Sequence, residues 1–243
     1  MKILACALFV AVAGAGCADD DDDFLIVPGG DPPSVGGSAP GATFEGRVCV
    51  VRDLRDLATC ADDVGRDLTV TIAGRATTTA TDGTFSIPVP ITQPGDVVPF
   101  FTVTGAGVVP STVAIDNPFV TTGAIPVVDQ TFFNQLQIAN GVTATTGTGS
   151  ILATVSADNM PAVGVSVMAT PAPAFGPFYD STNAEQWGFS ATGQRGVVWI
   201  PSLTAGTATL DFATDTGVTT NVAGIQVRNG GITILNTAFP TVL

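Results

Sequence analysis

From residue 43 onward the chain alternates apolar and polar residues with a period of two, and that pattern restricts it to half-buried β-strands. Leu68, Val70 and Ile72 alternate with Thr69 and Thr71. Phe85, Ile87 and Val89 alternate with Thr84, Ser86 and Pro88, behind a tight turn at Asp82-Gly83. Further strands are expected from Val97 to Val103 and from Ser111 to Ile115, separated by the breaks Pro94-Gly95 and Gly105-Ala106-Gly107. The period changes once. Asp129 is placed to cap a helix over Gln130 to Ala139, and Asn140-Gly141 to end it. So short a helix needs tertiary contacts, and Phe133, Leu136 and Phe132 would supply them against a neighbouring domain.

The strand pattern restarts after the Gly/Thr-rich stretch Gly141 to Ser150. Val163, Val165 and Val167 alternate with Gly164 and Ser166, and Ala208, Leu210 and Phe212 with Thr207, Thr209 and Asp211. Ile225 to Arg228 and Ile232 to Leu235 flank Asn229-Gly230, which predicts a β-hairpin. Short strands with regular turns, twice over, predict an all-β fold: two tandem Greek-key β-sandwich domains with a short connecting helix. The expected domains are 43–140, which includes the helix, and 141–243.

Two stretches carry a matching set of motifs. The first has Gly46-Arg47-Val48, Leu68-Thr69-Val70 and Ala80-Thr81-Asp82-Gly83-Thr84-Phe85-Ser86-Ile87. The second has Gly149-Ser150-Ile151, Pro161-Ala162-Val163-Gly164-Val165, Thr192-Gly193-Gln194-Arg195-Gly196-Val197 and Leu203-Thr204-Ala205-Gly206. Together they resemble the carboxypeptidase regulatory-like (transthyretin-like) β-sandwich domain. The first copy lacks the family's Leu-x-x-Gly turn, and the second has Thr-Gly where Thr-Asp is usual. The resemblance implies a fold and no activity. It points to the spacer, adhesion or assembly roles such domains take on bacterial lipoproteins.

Composition narrows the chemistry further. The chain has no histidine, and Lys2 is its only lysine. A Ser-His-Asp or Cys-His mechanism lacks its base, zinc sites built on histidine are impossible, and the phosphate-cradling GK[ST] loop is missing. No cofactor, metal site or enzymatic activity is expected. A formal charge of −13 would repel nucleic acid, whose binding needs Lys and Arg on the phosphates.

The first residues read as an export signal over 1–16. Met1-Lys2 is a positive start, Ile3 to Ala13 an uncharged apolar run, and Gly14-Ala15-Gly16-Cys17 is similar to a bacterial lipobox, though Gly14 replaces its usual leucine. Cys17 is then the lipidated residue, with three acyl chains by resemblance, and the partner is a membrane. The expected location is the cell envelope, at the outer membrane. The alternative, cleavage at Ala13-Gly14-Ala15, would leave a secreted chain. Residues 17–42 form an acidic, Gly/Pro-rich tether that begins with Asp19 to Asp23, with Phe24 to Val27 as its one apolar stretch. Cys49 and Cys60 remain in an oxidising compartment, and a disulfide is their natural state.

One stretch stands out as a contact site. Phe175, Phe178, Tyr179, Trp187 and Phe189 cluster in the Pro-rich segment Ala172 to Phe189, read as a long inter-strand loop. Tyr179, Trp187 and Phe178 are the candidate ligand contacts for an envelope protein or a polysaccharide, with Asp180, Glu185 and Arg195 beside them. The same aromatics could instead close the open end of the sandwich as a local core. Trp199, in a strand, is expected in the core.

Overall fold

The computed structural model describes residues 43–57, 64–88, 100–114, 122–181 and 187–239. The export signal, Cys17, the acidic tether, Cys60 and Glu185 lie outside them. Residues 39–243 form one compact unit. No helix among the described residues is long and apolar enough to cross a membrane.

The fold is an all-β sandwich, with one helix among the described residues. Its elements are β1 (Thr43–Val51), β2 (Thr69–Ile72), β3 (Arg75–Thr78), β4 (Thr84–Pro88), β5 (Phe100–Thr104), β6 (Ser111–Ala114), β7 (Thr122–Val128), α1 (Gln130–Ala139), β8 (Thr148–Ala157), β9 (Met160–Pro161), β10 (Val165–Thr170), β11 (Phe178–Asp180), β12 (Trp187–Gly188), β13 (Val197–Thr204), β14 (Gly206–Thr214), β15 (Thr219–Val227) and β16 (Ile232–Phe239). The alternation works as expected: Leu68, Val70, Ile72, Phe85, Ile87, Ala208, Leu210 and Phe212 are all buried. Val163 is not. It precedes its strand and is exposed, and only Val165 and Val167 face the core. The helix keeps the expected bounds. The Asp129 side chain accepts from the Phe132 N–H at 2.8 Å, and the Asn140 N–H donates to Leu136 O at 3.1 Å.

The two halves repeat one hydrogen-bond pattern. The Val48 N–H donates to Gly83 O at 2.9 Å, and the Val155 N–H to Gly196 O at 2.7 Å. Gly65 N–H reaches Val48 O at 3.1 Å, as Ala162 N–H reaches Val155 O at 2.8 Å. The Thr79 hydroxyl accepts from Leu68 N–H at 2.9 Å and donates to Gly65 O at 2.5 Å. The Thr192 hydroxyl accepts from Val165 N–H at 2.9 Å and donates to Ala162 O at 2.6 Å. Strand registers repeat as well. Gly46↔Phe85 in β1/β4 matches Ala153↔Val198 in β8/β13, and Val48↔Ile125 in β1/β7 matches Val155↔Thr237 in β8/β16. Val70↔Val103 matches Val167↔Phe212, and Phe101↔Val113 matches Leu210↔Val222.

This equivalence makes Thr79, not Thr81, the counterpart of Thr192, so the shared element is Thr-x-x-x-Gly at Thr79–Gly83 and Thr192–Gly196. Both glycines have positive φ, 79° and 64°, and a Cβ on either would press on the carbonyl oxygen of Val48 or Val155. Each threonine ties a strand entry to the turn beside it. Replacing Thr192 or Thr79 by valine would leave a buried N–H and a buried carbonyl unpaired. About 1–3 kcal/mol of stability should be lost in urea unfolding, while serine at the same position should lose less.

The halves are joined through one sheet. Its ten strands run in the order β12-β11-β13-β8-β16-β6-β5-β2-β3, with β9 attached to β8. β16 lies parallel to β8 on one side and to β6 on the other, with Ile232↔Ser111 and Ile234↔Val113. Because β6 corresponds to β15 and β16 to β7, the joint is head-to-tail, uniting non-equivalent edges of the two repeats. This overturns the expected hairpin at Asn229-Gly230. β15 pairs with β14, and β16 with β8 and β6, so the turn crosses from one sheet to another. It is held there by Gly147 N–H donating to Asn229 Oδ1 at 2.9 Å and Gly230 N–H donating to Thr148 O at 2.8 Å.

Each half has its own core. Phe44, Phe85 and Phe101 pack together in the first, and Leu210, Phe212 and Ile200 belong to the second. A third core lies between α1 and the outer face of β8, β13 and β16. It draws Leu54, Val109, Val128 and Phe133 from the first half, and Leu152, Trp199, Ile232 and Ile234 from the second. Phe132 and Leu136 are half-buried against it, as the helix pattern predicted.

Candidate functional site

The aromatic segment is not an open loop. β11 pairs with β13 (Phe178↔Trp199, Tyr179↔Val198) and with β12 (Asp180↔Trp187), so it extends the shared sheet. Neighbouring strand residues point to opposite faces. Phe178 therefore joins the outer core, stacked on Trp199 with centroids 5.1 Å apart, while Tyr179 joins the inner core of the second half. Both are only 2% exposed, so neither offers a ring face to a ligand, which corrects their assignment as contacts. The apolar face the strand covers claimed them. Trp187 is half-buried, edge-on to Trp199 at 5.7 Å. Phe189 alone is open, 75% exposed beside Phe178.

The Tyr179 hydroxyl sits against β10, accepting from Val167 N–H at 2.9 Å. Burial pushes the phenol up, opposed in part by that backbone hydrogen bond. Tyr179 is the only tyrosine in the chain, so absorbance at alkaline pH reads it alone. The midpoint should lie above the usual value of about 10. Because the folded pKa is raised, its contribution to stability is full below the unfolded pKa and is lost as pH rises through the folded one. A midpoint at or below the ordinary value would mean the ring is exposed.

Asp180 turns inward. It is 2% exposed, and its Oδ1 accepts from Gly193 N–H at 2.9 Å and Val197 N–H at 2.7 Å, while Oδ2 accepts from Arg195 N–H at 2.7 Å. The carboxylate is thereby committed to the Thr192–Gly196 turn rather than to a ligand. The Arg195 side chain instead reaches the first half, with Nη1 at 3.5 Å from Asp53 Oδ2 and 3.9 Å from Asp56 Oδ2. Arg55 donates to the same Asp53 through Nε at 2.9 Å. Burial pushes the Asp53 carboxyl up, but hydrogen bonds and charge from Arg55, with the charge of Arg195, outweigh it and hold it below the usual value. The link between the halves is thus intact above the ordinary carboxylate pKa and weakens as pH falls through the lowered one.

Beside this network, Arg52, Arg55, Phe132, Leu136 and Trp187 line an open groove of about 450 Å³. Of the aromatic and charged contact candidates read from the sequence, Trp187 alone lines it, together with Asp53, the partner of Arg195. Its chemistry is that of a contact surface: cations already paired with carboxylates, and apolar side chains from α1. Among the described residues no group of three His, Cys, Asp or Glu could hold a metal ion. Cys49 is buried.

No family model matches the chain, and no curated protein matches it in sequence. Solved structures similar to it include the minor pilin GBS52 of Streptococcus agalactiae, at 11% identity over 82% of this chain and 98% of that one, with a TM-score of 0.28. A double mutant of the shaft pilin SpaA from Lactobacillus rhamnosus GG matches at 10% identity over 83% and 99%, with a TM-score of 0.26. A streptococcal ancillary pilin matches at 11% identity over 81% and 68%, also with a TM-score of 0.26.

Proposed function

We propose that the chain is a non-catalytic cell-envelope module, anchored by lipid on Cys17 and carrying two β-sandwich domains, 43–140 and 141–243, of the carboxypeptidase regulatory-like kind. The acidic stretch 17–42 spaces them from the membrane, and the outer membrane is the proposed site. The modules act as spacers or as surfaces for adhesion or assembly with an envelope protein. The observation that carries this reading is the head-to-tail joint. A shared sheet, a third core and the Arg195–Asp53 link unite the repeats into one body, which is what a spacer requires.

The intact mass of protein extracted from membranes tests it. The expected species begins at Cys17, carries three acyl chains and is short of two hydrogens for a Cys49–Cys60 disulfide. Recovery wholly in the culture fluid with Cys17 unmodified would overturn it, as would turnover of any substrate. Reducing the disulfide, or replacing both cysteines by alanine, should lower stability by about 2–3 kcal/mol in the chain-entropy account of so short a loop. An unchanged urea midpoint would refute the pairing.

A further inference from the structure

A second site lies along a different face of α1. A cavity of about 170 Å³ opens between that helix and the rim of the second half. One wall is the amide row Gln130, Asn134 and Gln137, whose spacing places all three on one helix face. The opposite wall includes Thr145, Thr148 and Ser202, and the floor includes Phe133. None of the residues lining it is charged.

Ser202 is strained there. It lies inside β13 with φ of 56°, in the bulge where the β13/β8 register shifts between Ile200 and Leu203, and it is almost fully buried. A left-handed serine within a strand is costly and persists only where its surroundings enforce it. Here the bulge re-aims the strand at the cavity rim. Two of the helix amides are ordered by each other: Gln130 Nε2 donates to Asn134 Oδ1 at 3.0 Å, which leaves each of the two further hydrogen-bonding capacity.

We infer that this cavity binds one ring of a neutral saccharide. Amides and hydroxyls both donate and accept, as sugar hydroxyls do. An anion would meet no counter-charge in the lining, a cation no carboxylate, and an apolar ligand would leave the amides unpaired. An extended peptide takes its affinity from successive main-chain groups along a strand edge, and the polar row here is made of side chains on a helix. At about 170 Å³ the cavity has room for several waters, and so for a small polar ligand rather than a long chain. The inference goes beyond the spacer role and stands without it, since binding in solution does not depend on anchoring.

Titration of the ¹⁵N-labelled full chain with glucose, galactose, mannose and N-acetylglucosamine tests it by NMR. At least one sugar should give saturable shifts in the side-chain amides of Gln130, Asn134 and Gln137 and in the Ser202 amide. Asn134 is solvent-exposed on the helix, so Asn134→Ala should leave the rest of the spectrum unchanged and weaken binding at least tenfold. Gln137→Ala provides a second variant with the same expected effect. No saturable shift with any of the four sugars would overturn the proposal. So would shifts that both variants leave intact, or a response confined to the acidic sugar glucuronate or to an alanine-glycine peptide.

Discussion

Replacing Trp199 by alanine should cost about 3–5 kcal/mol, the range for removing a fully buried aromatic side chain. Trp199 is 0% exposed and meets Phe133, Phe178 and Trp187 with ring centroids 6.0, 5.1 and 5.7 Å away. It therefore holds α1, β11 and β12 against β13, and its loss opens the core between the halves rather than within one. Among the described residues its indole N–H has no hydrogen-bond partner, although it is buried. That orphan donor makes a second comparison informative. Trp199→Phe removes burial but also removes the unpaired polar atom, whose desolvation carries a penalty of about 1–3 kcal/mol, so phenylalanine should cost far less than alanine. Urea unfolding followed by circular dichroism measures both. Equal losses for the two variants would mean that the ring does not bridge the elements in this way.

Asp180→Ala should be comparably severe, at about 3–5 kcal/mol. Three backbone N–H groups converge on the carboxylate, at 2.9, 2.7 and 2.7 Å. Hydrogen bonds to a charged acceptor contribute about 1.5–3 kcal/mol each, and buried donors left unpaired retain their desolvation penalty. Asp180→Asn keeps the size but turns an N–H₂ toward at least one donor, so it should fall between alanine and wild type. The turn it holds presents Arg195 to Asp53, so the alanine variant should also increase amide exchange across the Arg195–Asp53 link. A variant as stable as wild type would mean that the turn from Gly193 to Val197 holds its shape unaided.

Much of this was legible from residue pattern alone. The strand faces of β2, β4 and β14 follow from alternation, and α1 from its two caps, because both depend on neighbours within a few positions. The repeat was visible too, but two residues off: Thr81 stands beside Asp82-Gly83 and resembles the motif better, whereas the hydroxyl that bridges Leu68 and Gly65 belongs to Thr79. The four-residue spacing shared by Thr79–Gly83 and Thr192–Gly196 was the available signal. Tyr179 and Phe178 misled because a short aromatic strand preceded by three prolines reads locally as a loop, and only its pairing to β13 buries it. The Ser202 cavity left no local trace, since its walls come from α1, the β13 bulge and the turn at Gly230-Gly231.

Local pattern was enough to make this chain a twice-repeated sandwich with a capped helix, since periodicity and turn chemistry act over a few residues. How the repeats are joined was decided only in three dimensions. Glu45, Thr84 and Ser86 sit on an outer face open to solvent, while their counterparts Leu152, Val197 and Trp199 lie under α1 and the ends of the first half. The continuous apolar run Val197 to Ile200 is the trace of that covering, but no run of residues names what covers it. That depended on β16 finding the free edge of β6, a pairing between segments more than a hundred positions apart, whose closure entropy only the assembled cores offset.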